Sequence, residues 1–173
     1  MRDIKKIIVH CSATPEGRDV STTEIKRWHT EERGWSDIGY HWVIELDGSR
    51  HLGRPEEISG AHCRGHNSDS IGICYVGGTD VDRDPKDTRT EEQKAEMINL
   101  LSELLDKYPD SVIYGHRDFA DKACPSFDVQ QWLYKVGINK AKPVTTPEEK
   151  QEILEGREKL KGKQGDLFGN HQE

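Results

Sequence analysis

"IKKIIVHCSATPEGRD", residues 4–19, sets the architecture. Its apolar, β-branched run from Ile4 to Cys11 reads as a short buried strand, and Ser12, Pro15 and Gly17 mark the loop that follows. The rest of the chain supplies what surrounds that strand. Ser21 with Glu24 forms a capping-box pattern that opens a helix to about Arg33, with Ile25, Trp28 and Trp35 as core contacts and Gly34 as the stop. "YHWVIELDGSRHL" (residues 40–52) alternates around Asp47-Gly48, a strong hairpin signal. Ser70 to Val76 is a further apolar strand, closed by Gly77 and Gly78. Thr90 with Gln93 is a second capping box, and Met97, Ile98, Leu101, Leu104, Leu105 and Tyr108 recur at helical spacing after it. "SVIYGH" (residues 111–116) reads as a strand, and "DVQQWLYKV" (residues 128–136) as a helix capped by Asp128. The order strand, helix, hairpin, strand, helix, strand, helix predicts an α/β fold: a single domain with a central mixed β-sheet flanked by helices.

A chain of 173 residues is long enough to bury roughly 70% of its unfolded surface in one core. The apolar fraction, 32%, is low because apolar residues thin out after Gly137. Residues 1–137 therefore form the expected body and 138–173 a polar C-terminal tail, in which "TTPEEKQEILEGREKLKGK" (residues 145–163) has room for one short helix. A net charge of −7 without a basic stripe argues against nucleic acid as a partner. No stretch approaches the roughly twenty apolar residues of a membrane span, and the N-terminus lacks the apolar core of a signal peptide. Synthesis in the cytoplasm, no membrane insertion and a monomer are the expectations. The four cysteines show no C-x-x-C spacing and are expected as thiols.

"GHRDFADKACPSFD" (residues 115–128) carries an unusual density of reactive side chains for a loop. His116 and Cys124 are nitrogen and sulfur donors of the kind zinc favours, and His10, ending the first strand, is a candidate third. Neighbours on a strand point to opposite faces, so only one of His10 and Cys11 can look at a common ion. Asp118 and Asp128 are candidates for orienting the ligand imidazoles. Spacing alone leaves open that these histidines merely satisfy buried backbone groups.

Four blocks, in order, carry a resemblance: "IVHCSAT" (residues 8–14), "GYHWVI" (39–44), "AHCRGHNSDSIGICYVGG" (61–78) and "KACPSFD" (122–128). Together they resemble the zinc-dependent N-acetylmuramoyl-L-alanine amidases, and most closely the small phage lysozymes of that family, over about Ile4 to Val136. The resemblance implies Zn2+ on His10, His116 and Cys124 with an open fourth position, and Tyr40 and Lys122 as catalytic residues. It implies hydrolysis of the amide between N-acetylmuramic acid and L-alanine in peptidoglycan or muropeptides, reached after another protein breaches the membrane. It also borders the substrate groove with residues 62–70, where Arg64 could pair with a stem-peptide carboxylate and His62 and Asn67 could hydrogen-bond polar substrate atoms. Two other readings compete. Related recognition domains keep the groove without catalysis, commonly where the cysteine ligand is replaced, and Cys124 is retained here. A cell-wall cysteine peptidase would instead use Cys124 as nucleophile and His116 as base, without metal.

Overall fold

The first strand, β1 (Lys6–Cys11), lies inside a five-stranded sheet in the computed structural model, which describes residues 2–138. After a two-residue strand β2 (Thr14–Pro15) and helix α1 (Thr22–Arg27) come the hairpin strands β3 (Trp42–Ile44) and β4 (Arg50–Leu52). They are followed by β5 (Ser70–Tyr75), the short β6 (Gly78–Thr79), α2 (Glu91–Lys107), β7 (Val112–Gly115) and α3 (Val129–Val136). The sheet order is β4-β3-β5-β1-β7, antiparallel only at the β3–β4 hairpin, with β2 and β6 pairing separately. This is the expected single domain with a mixed sheet flanked by helices.

Alternation along the strands divides the sheet's two faces. Ile7, Val9 and Cys11 of β1 join Ile71, Ile73 and Tyr75 of β5 and Ile113 of β7 in one core, covered by Met97, Leu100, Leu101 and Leu104 of α2 and Val129 and Leu133 of α3. Val43 and Cys74 face the other way and pack with Val20, Ile25 and Ile38 beside α1. His10 lies between Val9 and Cys11 and so emerges on the face away from α2 and α3. It is nonetheless buried, at 1% exposure.

The predicted elements hold with local differences. The helix expected to run to Arg33 ends as α-helix at Arg27 and continues as one wide turn, Trp28–Glu32. Its cap is one-sided: Ser21 Oγ accepts from Glu24 N, while the Glu24 carboxylate accepts instead from Arg18. The second box is complete. Thr90 Oγ1 accepts from Gln93 N at 3.1 Å, Gln93 Oε1 accepts from Thr90 N at 3.0 Å, and Gln93 Nε2 donates to the carbonyls of Ile44 and Val76. One side chain thus caps α2 and ties it to the ends of β3 and β5. Gly137, at φ +77°, ends α3, and Ile138 packs on the core beyond it. The remainder of the expected tail lies outside the described residues.

Removing the Thr90 hydroxyl by Thr90→Ala takes away both the cap and the bond it donates to Leu46 O. The expected cost is about 1–2 kcal/mol, read as a lower urea midpoint with an unchanged slope.

Candidate metal and catalytic site

Parallel pairing brings the donors together. β1 and β7 are neighbours with Val9 opposite Gly115, so the next residue on each strand, His10 and His116, leaves the sheet side by side, their rings 4.5 Å apart. The chain then turns through His116–Asp118 and returns at Cys124, whose carbonyl accepts from Arg117 N at 2.8 Å and whose Sγ accepts from Cys11 N at 3.3 Å. His10 Nδ1 lies 3.8 Å from Cys124 Sγ. One ligand atom from each of His10, His116 and Cys124 falls within 4.8 Å of the others, the one such group among the described residues. Two imidazoles and a thiol in that arrangement can hold a soft to borderline cation at a tetrahedral position with one corner open.

Electrostatics favour the same use. Burial holds His10 well below the usual histidine range, reinforced by the neighbouring imidazoles of His62 and His116. Burial also lowers His116, with help from the Lys122 cation. Both rings are therefore neutral, lone-pair-bearing donors at physiological pH. The neighbouring Cys11 thiol, then burial, push the Cys124 thiol up. Its release as thiolate requires a cation beside it.

An open cavity of about 740 Å³ is lined by His116 and Cys124, beside the buried His10. Tyr40 lines it, its ring 5.3 Å from that of His10, and burial pushes its phenol well above the ordinary range. Lys122 is exposed at the rim, on a bend closed by its own N–H to Ala120 O. Arg64 and Asn67 line the cavity too. Asn67 Oδ1, however, already accepts from the backbone N–H groups of His62 and Cys63, which leaves its carbonyl bracing the loop. His62 is 8% exposed, and its Nδ1 sits 2.9 Å from His10 Nε2. The carboxylates expected to orient the ligand rings are engaged with backbone: Asp118 accepts from Gly115 N, and Asp128 caps α3 through Gln131 N. The partner of His10 is a histidine.

Two lining residues were not read as functional from the sequence. Arg33 lies over the Trp35 ring at 5.3 Å, and Trp35 stacks on His29 at 4.6 Å, facing the cavity instead of the core. The signal was Gly34: a stop at φ +68° puts both flanking residues on a loop. His29 Nδ1 in turn accepts from Gly39 N and holds the segment that carries Tyr40. Among the described residues the lining thus contains the cations of Arg33, Arg64 and Lys122 and no carboxylate, in a chain of net charge −7.

The sequence pattern of the N-acetylmuramoyl-L-alanine amidase family matches residues 1–127. The endolysin of Enterobacteria phage K11 is 44% identical over 132 residues, covering 76% of this chain and 87% of that protein. The endolysin of Escherichia phage T7 is 45% identical over 130 residues, covering 75% and 85%. Among solved structures, N-acetylmuramoyl-L-alanine amidase LysC from Clostridium intestinale superposes with a TM-score of 0.68 at 27% identity, covering 80% of this chain and 88% of that one.

Two buried histidines are expected to make the scaffold acid-sensitive. His29 and His41 each accept a backbone N–H at Nδ1, from Gly39 and Gly72, and burial lowers both to about 4. Unfolded, they titrate near 6.5, so the stability they contribute is full above about 6.5 and falls as pH drops toward 4. Urea midpoints should decline across that window, and less steeply in His41→Asn; equal slopes would remove His41 from the account.

Proposed function

The chain belongs to the N-acetylmuramoyl-L-alanine amidase family, and from that premise we propose that its hydrolysis of the muramic acid to L-alanine amide in peptidoglycan runs on one zinc ion held by His10, His116 and Cys124. The observation that carries this reading is the convergence of two neutral imidazoles and one thiol, without a carboxylate, under an open cavity. That donor chemistry fits zinc. Bound there, zinc supplies an acidified water and a Lewis-acid pull on the scissile carbonyl.

The chain's own side chains do the rest. Lys122 stabilises the negative charge that develops on the carbonyl oxygen, from a rim position that a bound substrate would cover. Tyr40, held as neutral phenol by burial, hydrogen-bonds the attacking water and relays the proton that this water loses toward the leaving amine, ending as phenol again. Arg33 and Arg64 receive the carboxylates of the stem peptide, a role supported by the cationic, carboxylate-free lining. Since one chain supplies every group of the site, it works as a monomer. In keeping with the phage endolysins it is similar to, it reaches peptidoglycan after another protein has opened the membrane.

The peptidase alternative uses the same Cys124 without metal. Its thiol is held up by the neighbouring Cys11 thiol and by burial, and the lowered thiol of the pair is Cys11, at about 7, which disfavours Cys124 as a free nucleophilic thiolate. Metal analysis of the purified protein with a muropeptide digest separates the two readings. About one zinc per chain, loss of activity to a chelator and recovery on adding zinc support the amidase mechanism. Activity that persists in chelator and dies with a thiol alkylator overturns it.

Lys122→Ala and Tyr40→Phe should each lower kcat by about two to four orders of magnitude with zinc content unchanged. Full turnover in either variant removes that residue from the mechanism. Arg33→Glu should raise KM for muropeptides with free stem carboxylates more than for their amidated forms, with kcat little altered.

A further inference from the structure

We propose that His62 is a positioning residue: it fixes the tautomer and ring orientation of the metal donor His10 through a directed chain of hydrogen bonds that ends on Ser70 and the His66 carbonyl. The inference rests on the zinc reading above. His10 presents Nδ1 to Cys124 Sγ, so a cation held by that pair takes the Nδ1 lone pair, and the one proton of the neutral ring sits on Nε2. From there the directions follow. His10 Nε2–H donates to His62 Nδ1 at 2.9 Å. His62, accepting at Nδ1, carries its own proton on Nε2 and donates to Ser70 Oγ at 3.3 Å. Ser70 Oγ then donates to His66 O at 2.7 Å. Both nitrogens of His62 are spent inside the protein, and none remains for a substrate atom.

The surroundings hold His62 for this task. A Cβ at Gly72 on β5 would meet the His62 ring at 2.5 Å, and one at Gly60 would meet it at 2.6 Å, so two glycines leave the slot in which the ring lies. Asn67 Oδ1 fixes the His62 backbone N–H at 2.9 Å. The guanidinium of Arg2 ties down the whole loop, donating to the carbonyls of Glu56, Asn67 and Ser70. A neutral acceptor orients His10 without adding negative charge to a donor set that already contains one thiolate, which preserves the net positive charge available to polarise water.

The test measures zinc affinity of the full chain by chelator competition, together with the visible spectrum of the cobalt(II)-loaded protein. His62→Ala should weaken zinc binding by about tenfold to a hundredfold and shift the cobalt bands. His62→Asn, whose amide oxygen lies close to the lost Nδ1, should recover most of the affinity. Ser70→Ala should fall between His62→Asn and His62→Ala. Unaltered zinc affinity and cobalt bands in His62→Ala overturn the proposal, and a raised KM on that background makes His62 a substrate contact. Nitrogen-15 NMR of the zinc-loaded wild type needs no variant: it should find the proton on His10 Nε2 and none on His62 Nδ1, and the opposite assignment overturns the proposal even if His62→Ala does not fold. Failure of the wild type itself to bind zinc brings down the metal reading as well, whereas failure confined to the variants leaves that reading standing.

Discussion

The face on which β1 presents His10 is the constraint from which the site follows. In a strand, a slip of one residue exchanges the two faces. Here Val9 and Cys11 are committed to the core under α2 and α3, and the register with β5 sets His10 opposite Cys74 and Cys11 opposite Tyr75. Moving His10 off the site face would drive an imidazole into that core and expose apolar side chains opposite. The apolar packing of β1 thus holds the imidazole of His10, a candidate metal donor, in place at no cost to itself. Because β7 runs parallel alongside, His116 arrives next to His10 through backbone pairing. Chemistry at the carboxyl ends of parallel strands is a general consequence of such sheets.

Charge is arranged on two scales. The whole chain is acidic, yet among the described residues the cavity is lined by three cations and no carboxylate. An anionic substrate thus meets overall repulsion and local attraction, a combination that favours ligands presenting their carboxylates at defined positions over nonspecific polyanions. Beneath those cations the imidazoles stay neutral through burial, and the thiol stays protonated until a cation claims it.

Much of this was legible in the sequence because the signals were local. The β-branched run of β1, the Thr90 box, the Asp-Gly hairpin and the Asp128 cap each depend on residues close together in the chain. His116 and Cys124 also share one loop. What the sequence hid depends on partners brought together by tertiary pairing. His62 reaches His10 across 52 positions, and nothing near it announces that its ring nitrogens are engaged. Asp118 and Asp128 looked like orienting carboxylates because of where they sit in the chain, but backbone N–H groups at the ends of two short helical segments claim them first. Trp35 read as core by its apolarity, whereas Gly34 turns it toward the cavity.

Rigid and exposed elements divide the work. The donors stand on β1, at the exit of β7 and on a segment bound back to Cys11 and Arg117, positions that fix geometry before substrate arrives. Lys122, by contrast, sits in solvent on a bend. In water its attraction to a developing oxyanion is strongly screened, and it strengthens severalfold when the surroundings lose water. In the role proposed for Lys122, substrate that covers the rim removes that water, so the length of peptidoglycan engaged and the effectiveness of the cation are coupled. A fragment too short to cover the rim would meet a fully formed set of donors and a weakened cation. Discrimination between wall and fragments would then appear in the chemical step, not in binding alone.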